Sequence, residues 1–464
     1  MRARKRIEDR ASRWRREVGK VLGLSWPIVL SMLSYTAMDL ADTIFVGWLG
    51  TAELAAVGLA ATVFFVLNGF FFGTLQGVTV VTSQSEGAGR RRRAVNSAIA
   101  GLLLAVPFGL FVLFLTPVQG GIFAVMGGEA HVRAMAGDYF VIRTLGACAL
   151  FAMIVVCNHY QGLGDTRTPM LLTLLANGVN IVLDPLLIFG LGPFPALGVE
   201  GAALATVIAQ FIGMVAALAH FLRGHTVSGV VAVWTRCRQA VQDVAPAVLR
   251  LGLPMGIRGA VGVFAFGVFT AILARMGTTE LAAHQIALRV VSVSFLPGYG
   301  VGRASSILAG QHVGAGRDEQ VANTLQAALS VALIFMGALG VCFWLFHAPI
   351  ASIFTPDVET ATLAGQLLLV AALFQLTDAA AMVTGSTLEG CGDTRFTMVA
   401  SISASWFILV PCAWFFGFYL DGGAVGAWLA MVVQIAVVGA VYLLRFYSGG
   451  WKKHAAKERE AMAE

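Results

Sequence analysis

The sequence predicts an all-α polytopic membrane protein whose twelve transmembrane helices form two repeated lobes of six. Three observations support this prediction. Hydrophobic residues make up 58% of the chain and charged residues only 12%, and the mean hydropathy is +0.80. The charges are concentrated in short clusters, so that the apolar runs between them reach the length of about 20 residues that a bilayer requires. Several motifs also recur in the same order at a nearly constant spacing.

Twelve apolar runs are long enough to be membrane spans. They lie near residues 22–48, 54–82, 94–119, 137–160, 168–192, 198–222, 247–274, 281–309, 322–347, 362–386, 396–418 and 424–446. A transmembrane β-barrel would need segments of about ten residues with alternating polarity, and the sequence has none of these. The runs therefore predict a bundle of membrane-spanning α-helices.

Basic residues fall almost entirely on one side of this arrangement. They are concentrated in the N-terminal tail, at Arg90 to Arg93, around the central loop and in the C-terminal tail, whereas the opposite side has only Arg133 and Arg275. The positive-inside rule then predicts a protein of the plasma membrane with both termini in the cytoplasm. The net charge of +6 requires no nucleic-acid partner, because anionic membrane lipid is a sufficient one.

An internal repeat divides the chain into two halves. Three motifs recur in order at an offset of 227 or 228 residues: Gly50–Ala56 as Gly277–Ala283, Gly87–Arg90 as Gly314–Arg317, and Gly162–Arg167 as Gly390–Arg395. Both halves begin on the same side of the membrane, so the repeats are parallel and a ligand cleft is expected between them. The predicted divisions are a basic tail (1–20), an N-terminal lobe (21–222), a cytoplasmic loop (223–246), a C-terminal lobe (247–446) and a second tail (447–464).

The fifth apolar run contains polar residues that a lipid-facing helix would not carry. Asn177, Asn180 and Asp184 are spaced three and four apart, so they share one helix face. A charged Asp in hydrocarbon costs at least about 2.5–3.5 kcal/mol, which makes a functional site the first interpretation. A structural Asp bonded to a neighbouring helix is the alternative. Pro185 follows at once and favours a local kink.

Helix geometry places further polar residues at a similar depth. At about 1.5 Å per residue, Asp42 lies roughly 9 Å inside the outer end of the first span, and Asp184 and Thr206 lie roughly 12 Å inside theirs. Tyr139 opens the fourth span near the same level, and Asn180 is one turn deeper than Asp184. These oxygens are suited to a proton or to a hard cation such as Na⁺. The repeat-related positions of the second half lack carboxylates, which indicates an ion site in the first lobe alone.

The apolar setting and the second carboxylate favour H⁺ over Na⁺ as the ion bound there. No other cofactor is expected, because the six cysteines lack metal-ligand spacing and the sequence has no Walker loop, dinucleotide fingerprint or catalytic triad. The chain is therefore not expected to be an enzyme or to use ATP. Pro27 precedes Asp42 on the first span, where it is either a hinge or a static kink.

Four features in order resemble the multidrug and toxic compound extrusion (MATE) family over nearly the whole chain: Pro27, Asp42–Gly47, Gly162–Pro169 and Asn180–Pro185. The resemblance implies two six-helix lobes around a V-shaped cleft that alternates between outward- and inward-facing states. It also implies export of bulky, often cationic amphiphiles in exchange for H⁺ or Na⁺. One chain contains both lobes, so a monomer is expected to function.

The pair Asp42 and Asp184 resembles the DinF-like branch of the family, in which the coupling site lies in the N-terminal lobe. By that resemblance Tyr139, Asn180, Asp184 and Thr206 form the network around Asp42. Further candidates for this network are Asn158 and Asp39, the latter on the same helix face as Asp42.

One residue departs from this pattern. Asp378 resembles the C-terminal carboxylate of the NorM-like branch, but the seventh span lacks the Glu that accompanies it there. Pairing of Asp378 with Arg289 or Arg303 is the alternative. Arg143 and Arg258 are expected to extend toward headgroups.

Three other polar residues are interpreted as having local structural roles. His284 is expected to form a local hydrogen bond, and Asp165 and Asp393 of the repeated Gly-Asp-Thr-Arg motifs are expected to tie a loop to a helix end.

Two other functional classes are open at this point. A lipid-linked oligosaccharide flippase of the same superfamily would share the helix plan and would present arginines to a pyrophosphate. A membrane-embedded enzyme fits less well, because no nucleophile–base pair is visible and the repeat would have no explanation.

Overall fold

A computed structural model describes the backbone of residues 2–224 and 230–463 and the side chains of residues 14–224 and 235–461. Every regular element of this described part is helical. Eleven helical segments are long and apolar enough to cross a membrane, and two shorter helices that meet at 49° form a twelfth span. The predicted all-α class and the twelve spans are thus confirmed. The arginines and lysines before Trp14, and residues 225–234 of the predicted central loop, lie outside the described side chains.

The helices of the first half follow the predicted spans closely. They are α1 (Arg2–Gly47), α2 (Thr51–Leu75), α3 (Gly77–Gly87), α4 (Arg91–Leu113), α5 (Gln119–Met126), α6 (Ala130–Leu145), α7 (Ala147–Leu163), α8 (Arg167–Phe189) and α9 (Gly198–Gly224). Most of the predicted N-terminal tail is helical, because α1 begins near the N-terminus. The predicted fourth span is the bent pair α6 and α7, which meet at Gly146.

The start of α8 shows how a polar turn orders the polar end of a span. The Asp165 carboxylate accepts the backbone N–H groups of Arg167 and Thr168 at 3.0 and 3.1 Å and the Thr168 hydroxyl at 2.6 Å. These bonds satisfy donors that the first turn of a helix leaves free. Asp393 of the second Gly-Asp-Thr-Arg motif instead accepts the Arg445 guanidinium at 2.8 Å. Both contacts confirm the predicted structural role of these motifs.

The second half contains the remaining helices. They are α10 (Val230–Gln239), α11 (Ala245–Ala274), α12 (Thr278–Gly314), α13 (Asp318–Phe354), α14 (Val358–Gly390), α15 (Thr394–Ala404), α16 (Val410–Trp414), α17 (Gly423–Tyr447) and α18 (Lys452–Ala463). Two π-helical turns, Ser405–Leu409 and Phe415–Tyr419, flank α16, so that α15, α16 and these turns form one span. The repeat-related span of the first half, α8, is α-helical throughout.

The helices pack into two compact units. Unit 1 comprises Met1–Val29, Ser83–Gly89 and Ile257–Glu464, and unit 2 comprises Leu30–Thr82 and Arg90–Gly256. α1 therefore leaves unit 1 after Val29 and α11 leaves unit 2 after Gly256, each two residues after a repeat-related proline, Pro27 or Pro254. The predicted lobe boundaries follow the repeat, whereas these units follow packing.

Within unit 1, the repeated Gly-Ala-Gly-Arg motifs make reciprocal contacts. A Cβ on Gly87 would meet the backbone of Gln311, and a Cβ on the repeat-related Gly314 would meet the backbone of Gln84. The Gln84 amide also donates to the Gly390 carbonyl at 3.0 Å. Close backbone approach at small residues is a principal way in which membrane helices associate, since lipid provides no hydrophobic drive between them. The repeat thus preserves a packing contact as well as a helix order.

Candidate functional site

Unit 2 brings together the polar residues that the sequence singled out on α1, α8 and α9. The Asn180 amide nitrogen donates to Asp184 Oδ1 and to Thr206 Oγ1, each at 3.3 Å. The Thr206 hydroxyl in turn donates to the Ala202 carbonyl at 3.0 Å. The Asp42 carboxyl of α1 lies next to that of Asp184, close enough for the two to share a proton. The spacing on α8 places Asn180 and Asp184 on one helix face, and Asn180 links this face to Thr206 of α9.

This cluster lies deep in the unit. Asn180 and Asp184 are fully buried, and 5% of Thr206 is exposed. The four-residue spacing on α8 places Asn180 directly below Asp184 on one face. The helix continues through Pro185 to Phe189. Because proline has no backbone N–H, it removes one hydrogen bond of the helix immediately after the carboxylate.

Three oxygens of this cluster are hydrogen-bond acceptors without a donor. Asp42 Oδ1, Asn180 Oδ1 and Asp184 Oδ2 are buried and have no hydrogen-bond partner in the described part of the chain. Leaving a buried acceptor unpaired costs about 1–3 kcal/mol, so native proteins rarely keep several together. Carboxylate and amide oxygens are also the atoms that bind protons and hard cations. The cluster therefore has oxygen atoms available to bind a proton or a cation.

Two residues of α6 complete its electrostatic surroundings. Tyr139 is buried and lies close enough to Asp42 and Asp184 to interact electrostatically with both. Arg143, one turn further along α6, interacts with the same two carboxylates. Its guanidinium carbon lies 5.3 Å from the centre of the Phe64 ring, and its Nε and Nη1 atoms are buried. The expectation that Arg143 extends toward a headgroup is therefore wrong. Its four-residue spacing from Tyr139 was the signal that could have placed it here.

The other two candidates of the first half, Asp39 and Asn158, have different surroundings. Asp39 is exposed on α1 and interacts electrostatically with Asp42. The Asn158 side-chain amide donates to the Leu75 carbonyl at 3.0 Å, at the break between α2 and α3. The backbone carbonyl of Asn158 accepts the Thr79 hydroxyl at 3.1 Å. Sequence reasoning missed Ser34, whose hydroxyl accepts the Asn177 amide at 2.9 Å and so ties α8 to α1.

The predicted hinge, Pro27, lies inside a helix that is continuous from Arg2 to Gly47. It stands two residues before the point at which α1 passes from unit 1 to unit 2. A proline removes one backbone hydrogen bond at such a point, which makes bending less costly. Movement at Pro27 remains a prediction.

In unit 1, the charged residues of the C-terminal half have different surroundings. No ion pair joins Asp378 to Arg289 or Arg303 among the described residues, so that alternative finds no support. Arg258 forms an ion pair with the buried Glu389 at 2.5 Å. The expectation that Arg258 extends toward a headgroup is therefore wrong. Pairing with an anion on α14 holds the guanidinium inside the unit, because a buried charge needs a partner.

His284 of α12 has both ring nitrogens bonded. The Trp428 indole N–H donates to Nδ1 at 3.2 Å, and Nε2 lies 3.2 Å from the Thr270 hydroxyl. Because an indole only donates, Nδ1 carries no proton and Nε2 must donate to Thr270. Thr270 passes its own proton to the Phe266 carbonyl at 3.1 Å. The predicted local hydrogen bond of His284 is confirmed.

Comparison with known proteins decides the family. A family model, MatE, matches residues 27–186 and 254–415, which together exceed half of the chain. The chain belongs to the MATE family. The two matches begin at the repeat-related prolines Pro27 and Pro254, so each half of this MATE chain is one copy of the family's unit. The chain is accordingly an integral multi-pass membrane transporter and not an enzyme.

Similar proteins agree with this membership. The chain is 31% identical over 449 residues to a probable multidrug resistance protein NorM of Thermotoga maritima, which covers 94% of this chain and 92% of the relative. It also resembles a crystal structure of MATE in the straight conformation, with a TM-score of 0.84, 26% identity, and 94% and 97% of the two chains covered. A MOP superfamily transporter from Pyrococcus furiosus, described as having a binding pocket of reverse polarity, is similar with a TM-score of 0.85, 25% identity and the same coverage.

Proposed function

We propose that this MATE chain is a secondary active multidrug exporter that works as a monomer by alternating access. In this proposal, amphiphilic and often cationic compounds leave the cell in exchange for a cation that binds at Asp42 and Asp184. The substrate class is supported by the relative from Thermotoga maritima, which is named as a multidrug resistance protein. The coupling site is supported by the geometry of unit 2.

The observation that carries the proposal is the set of buried oxygens without donors on Asp42, Asn180 and Asp184. A purely structural cluster would be expected to satisfy its acceptors, because unpaired buried acceptors destabilise a fold. Two bare carboxylates in contact also repel each other. A proton or a metal cation between them removes both penalties. Binding of a positive ligand is therefore expected to stabilise the cluster.

A count of charges supports one monovalent cation in each cycle. Asp42 and Asp184 contribute two negative charges and the nearby Arg143 contributes one positive charge. One additional positive charge makes the buried cluster neutral, which is the state that a low-dielectric interior favours. Either H⁺ or Na⁺ would satisfy this count.

The donor arrangement favours H⁺. A hard metal cation is usually held by several oxygens at once, whereas a proton needs only two. In the cluster the Asn180 amide nitrogen, rather than its oxygen, faces Asp184 and Thr206. A proton shared by the Asp42 and Asp184 carboxyls needs no further ligand.

Coupling requires that the cation bind two conformations with different affinity. Protonation of Asp42 would change its bond to Asp184 and hence the attachment of α1 to α8. Because Pro27 lowers the cost of bending α1, this change can favour a bent form of the helix and release substrate outward. Ion and substrate then need not touch.

The flippase alternative receives less support. A site for a pyrophosphate would use unpaired arginines, and Arg258 is already neutralised by Glu389.

Efflux from proteoliposomes under separate ion gradients tests the proposal. Wild-type protein should export a cationic dye when a pH gradient is imposed, and a Na⁺ gradient at constant pH should have little effect. Asp42→Asn should abolish the gradient-driven part. Asp421→Asn is the matched control, since Asp421 is an exposed residue with a φ of 51° that asparagine also tolerates. Efflux that follows the Na⁺ gradient alone would reassign the cation, and full activity of Asp42→Asn would reject the site.

A further inference from the structure

Unit 1 contains a cavity of about 500 Å³ near the end of α11 that lies away from the central loop. Its lining residues come from α11 and from the span around α16: Val268, Ala271, Ile272, Arg275, Trp414 and Phe418. The volume falls within the range of small-molecule sites, about 300–1,000 Å³. Aliphatic and aromatic side chains form most of the lining, and Arg275 is its one charged residue. The cavity is therefore amphiphilic and positive.

Arg275 has no evident structural task. It is exposed, and its side chain forms no ion pair or hydrogen bond with the residues that the structure describes. The sequence already set it apart, because it is one of only two basic residues on the predicted outer side. Basic residues are not favoured there by the charge rule that governs insertion. An interaction with a ligand would explain its presence.

Comparison with the other repeat shows what makes the cavity. At an offset of 227, Arg275 corresponds to Trp48 and Ile272 corresponds to Phe45. In unit 2 the rings of Phe45 and Trp48 lie 5.5 Å apart, and both contact Phe189, at 6.4 and 6.0 Å between ring centres. Three aromatic rings thus pack together in unit 2, whereas the positions in unit 1 that correspond to Phe45 and Trp48 are Ile272 and Arg275, which line the cavity.

The π-helical turn Phe415–Tyr419 shapes the opposite wall. At an offset of 228, Gly417 of this turn corresponds to Phe189, and a Cβ on Gly417 would meet the Met276 methyl group. Trp414 and Phe418 instead present their rings, with centres 6.5 Å apart. π-Helical turns are rare and recur at functional sites. The π-helical turn thus carries Phe418, and Trp414 directly precedes it, so that their two rings face the cavity together with Arg275 of the other wall.

We propose that this cavity binds an amphiphilic anion. The guanidinium of Arg275 would hold a carboxylate, sulfonate or phosphate through paired hydrogen bonds, and the apolar body would lie against Val268, Trp414 and Phe418. The ligand is either a phospholipid with an anionic headgroup or a soluble aromatic acid, and both share this chemistry. The proposal is independent of the coupling site at Asp42.

A second cavity in unit 2 shows that this preference is not general. It has a volume of about 270 Å³, and Glu53, Asp138 and Glu200 are among its lining residues. An anion would be repelled there. The two units thus present cavities of opposite charge, and only the one at Arg275 suits an anion.

Quenching of Trp414 fluorescence by brominated probes tests the site directly. Trp414 lines the cavity, and its signal among the nine tryptophans is obtained by subtracting the spectrum of Trp414→Phe. In one arm, nanodiscs contain brominated phosphatidylglycerol or brominated phosphatidylcholine. In the other arm, protein in neutral detergent is titrated with 6-bromo-2-naphthoate or with its methyl ester. Stronger quenching by the anion in an arm supports the site and identifies the source of the ligand.

Charge variants decide whether Arg275 is the cause. Arg275→Gln should weaken anion quenching roughly tenfold, as expected for loss of a charge-assisted hydrogen bond. Arg133→Gln, which removes the other outer arginine, should leave it unchanged. If Arg275→Gln is not monodisperse, Arg275→Lys replaces it and should give a smaller loss, because it keeps the charge without the planar fork. Equal quenching by the anionic and the neutral probe in both arms would overturn the proposal. Anion quenching of the same strength in wild type and Arg275→Gln would also overturn it.

Discussion

The two halves of this chain share one helix plan but treat repeat-related positions in opposite ways. In unit 2, Asp42 of α1 meets Asp184 of α8, and buried oxygens remain without donors. In unit 1, the position of Asp42 is held by Phe269 or the adjacent Thr270, and Thr270 belongs to a closed chain of hydrogen bonds. That chain runs from the Trp428 indole through His284 and Thr270 to the Phe266 carbonyl, and each donor in it has an acceptor.

The difference shows how a duplicated fold can become specialised while it keeps the order of its helices. A saturated chain of hydrogen bonds is stable in one protonation state and resists any other, because adding a proton to His284 Nδ1 would displace the Trp428 N–H. An unsaturated cluster of acceptors becomes more stable when it binds a cation. If the proposed coupling site is correct, the first half contains the element that responds to the ion and the second half does not.

Among the substitutions that test this difference between the halves, Asp42→Asn is expected to have the largest effect on ion-driven efflux. The amide resembles the neutral acid in shape but cannot titrate, so ion-driven efflux should be lost while the protein still inserts and folds. Affinity for a cationic dye should also lose most of its pH dependence from mildly acidic to mildly alkaline conditions. Dye binding to purified wild type and variant measures this, with gel filtration as the test of folding. Identical pH profiles for the two proteins would show that Asp42 is not the coupling carboxylate.

Arg143→Met tests the positive member of the cluster. Without this charge, a proton binding to the carboxylates no longer competes with a nearby guanidinium, so the pH profile of dye binding should move to more alkaline pH. Arg143→Lys keeps the charge and should move the profile less, although it loses the planar contact with Phe64. The measurement is the midpoint of the binding profile for the three proteins. A shift of equal size in both variants would mean that packing on Phe64, and not charge, is the contribution of Arg143.

Much of this organisation follows from local sequence, and the rest does not. The spacing of Asn177, Asn180 and Asp184 fixes a common helix face, so their grouping could be predicted. The partner of Arg258 could not, because it depends on the rotation and packing of helices that are distant in sequence. The pairing of Arg258 with Glu389 joins residues on α11 and α14, for example.

Two features of the fold escaped prediction for related reasons. The first is that α1 and α11 each pass from one unit to the other, two residues after Pro27 and Pro254. This division depends on how the helices pack, whereas the sequence repeat shows only which positions correspond. The π-helical turns around α16 change the register of a span by one residue per turn, and hydrophobic composition does not record such a change.

His284→Ala should reduce stability without affecting coupling. The substitution leaves the Trp428 N–H without an acceptor in a buried position, at a cost of about 1–3 kcal/mol. Thermal unfolding in detergent should show a lower midpoint than wild type, whereas the dependence of efflux on the imposed pH gradient should be unchanged. The double variant His284→Ala with Trp428→Phe removes the stranded donor and should recover part of the loss. Loss of gradient dependence in a stable His284→Ala protein would mean that unit 1 also takes part in coupling.

Asp378→Asn is expected to have the smallest effect. Asp378 lies on α14 and belongs to unit 1, whereas the carboxylate pair belongs to unit 2, and it has no ion pair with Arg289 or Arg303 among the described residues. No partner charge is therefore stranded by the substitution, and the side chain keeps its size. Gradient-driven efflux should persist, with at most a modest change in the preference among cationic dyes. The measurement is the initial rate of efflux for several dyes at the same pH gradient, normalised to the amount of inserted protein. If Asp378→Asn instead abolishes gradient dependence for every dye while Asp42→Asn retains it, the responsive half of the molecule is unit 1, and the assignment of roles to the two halves must be exchanged.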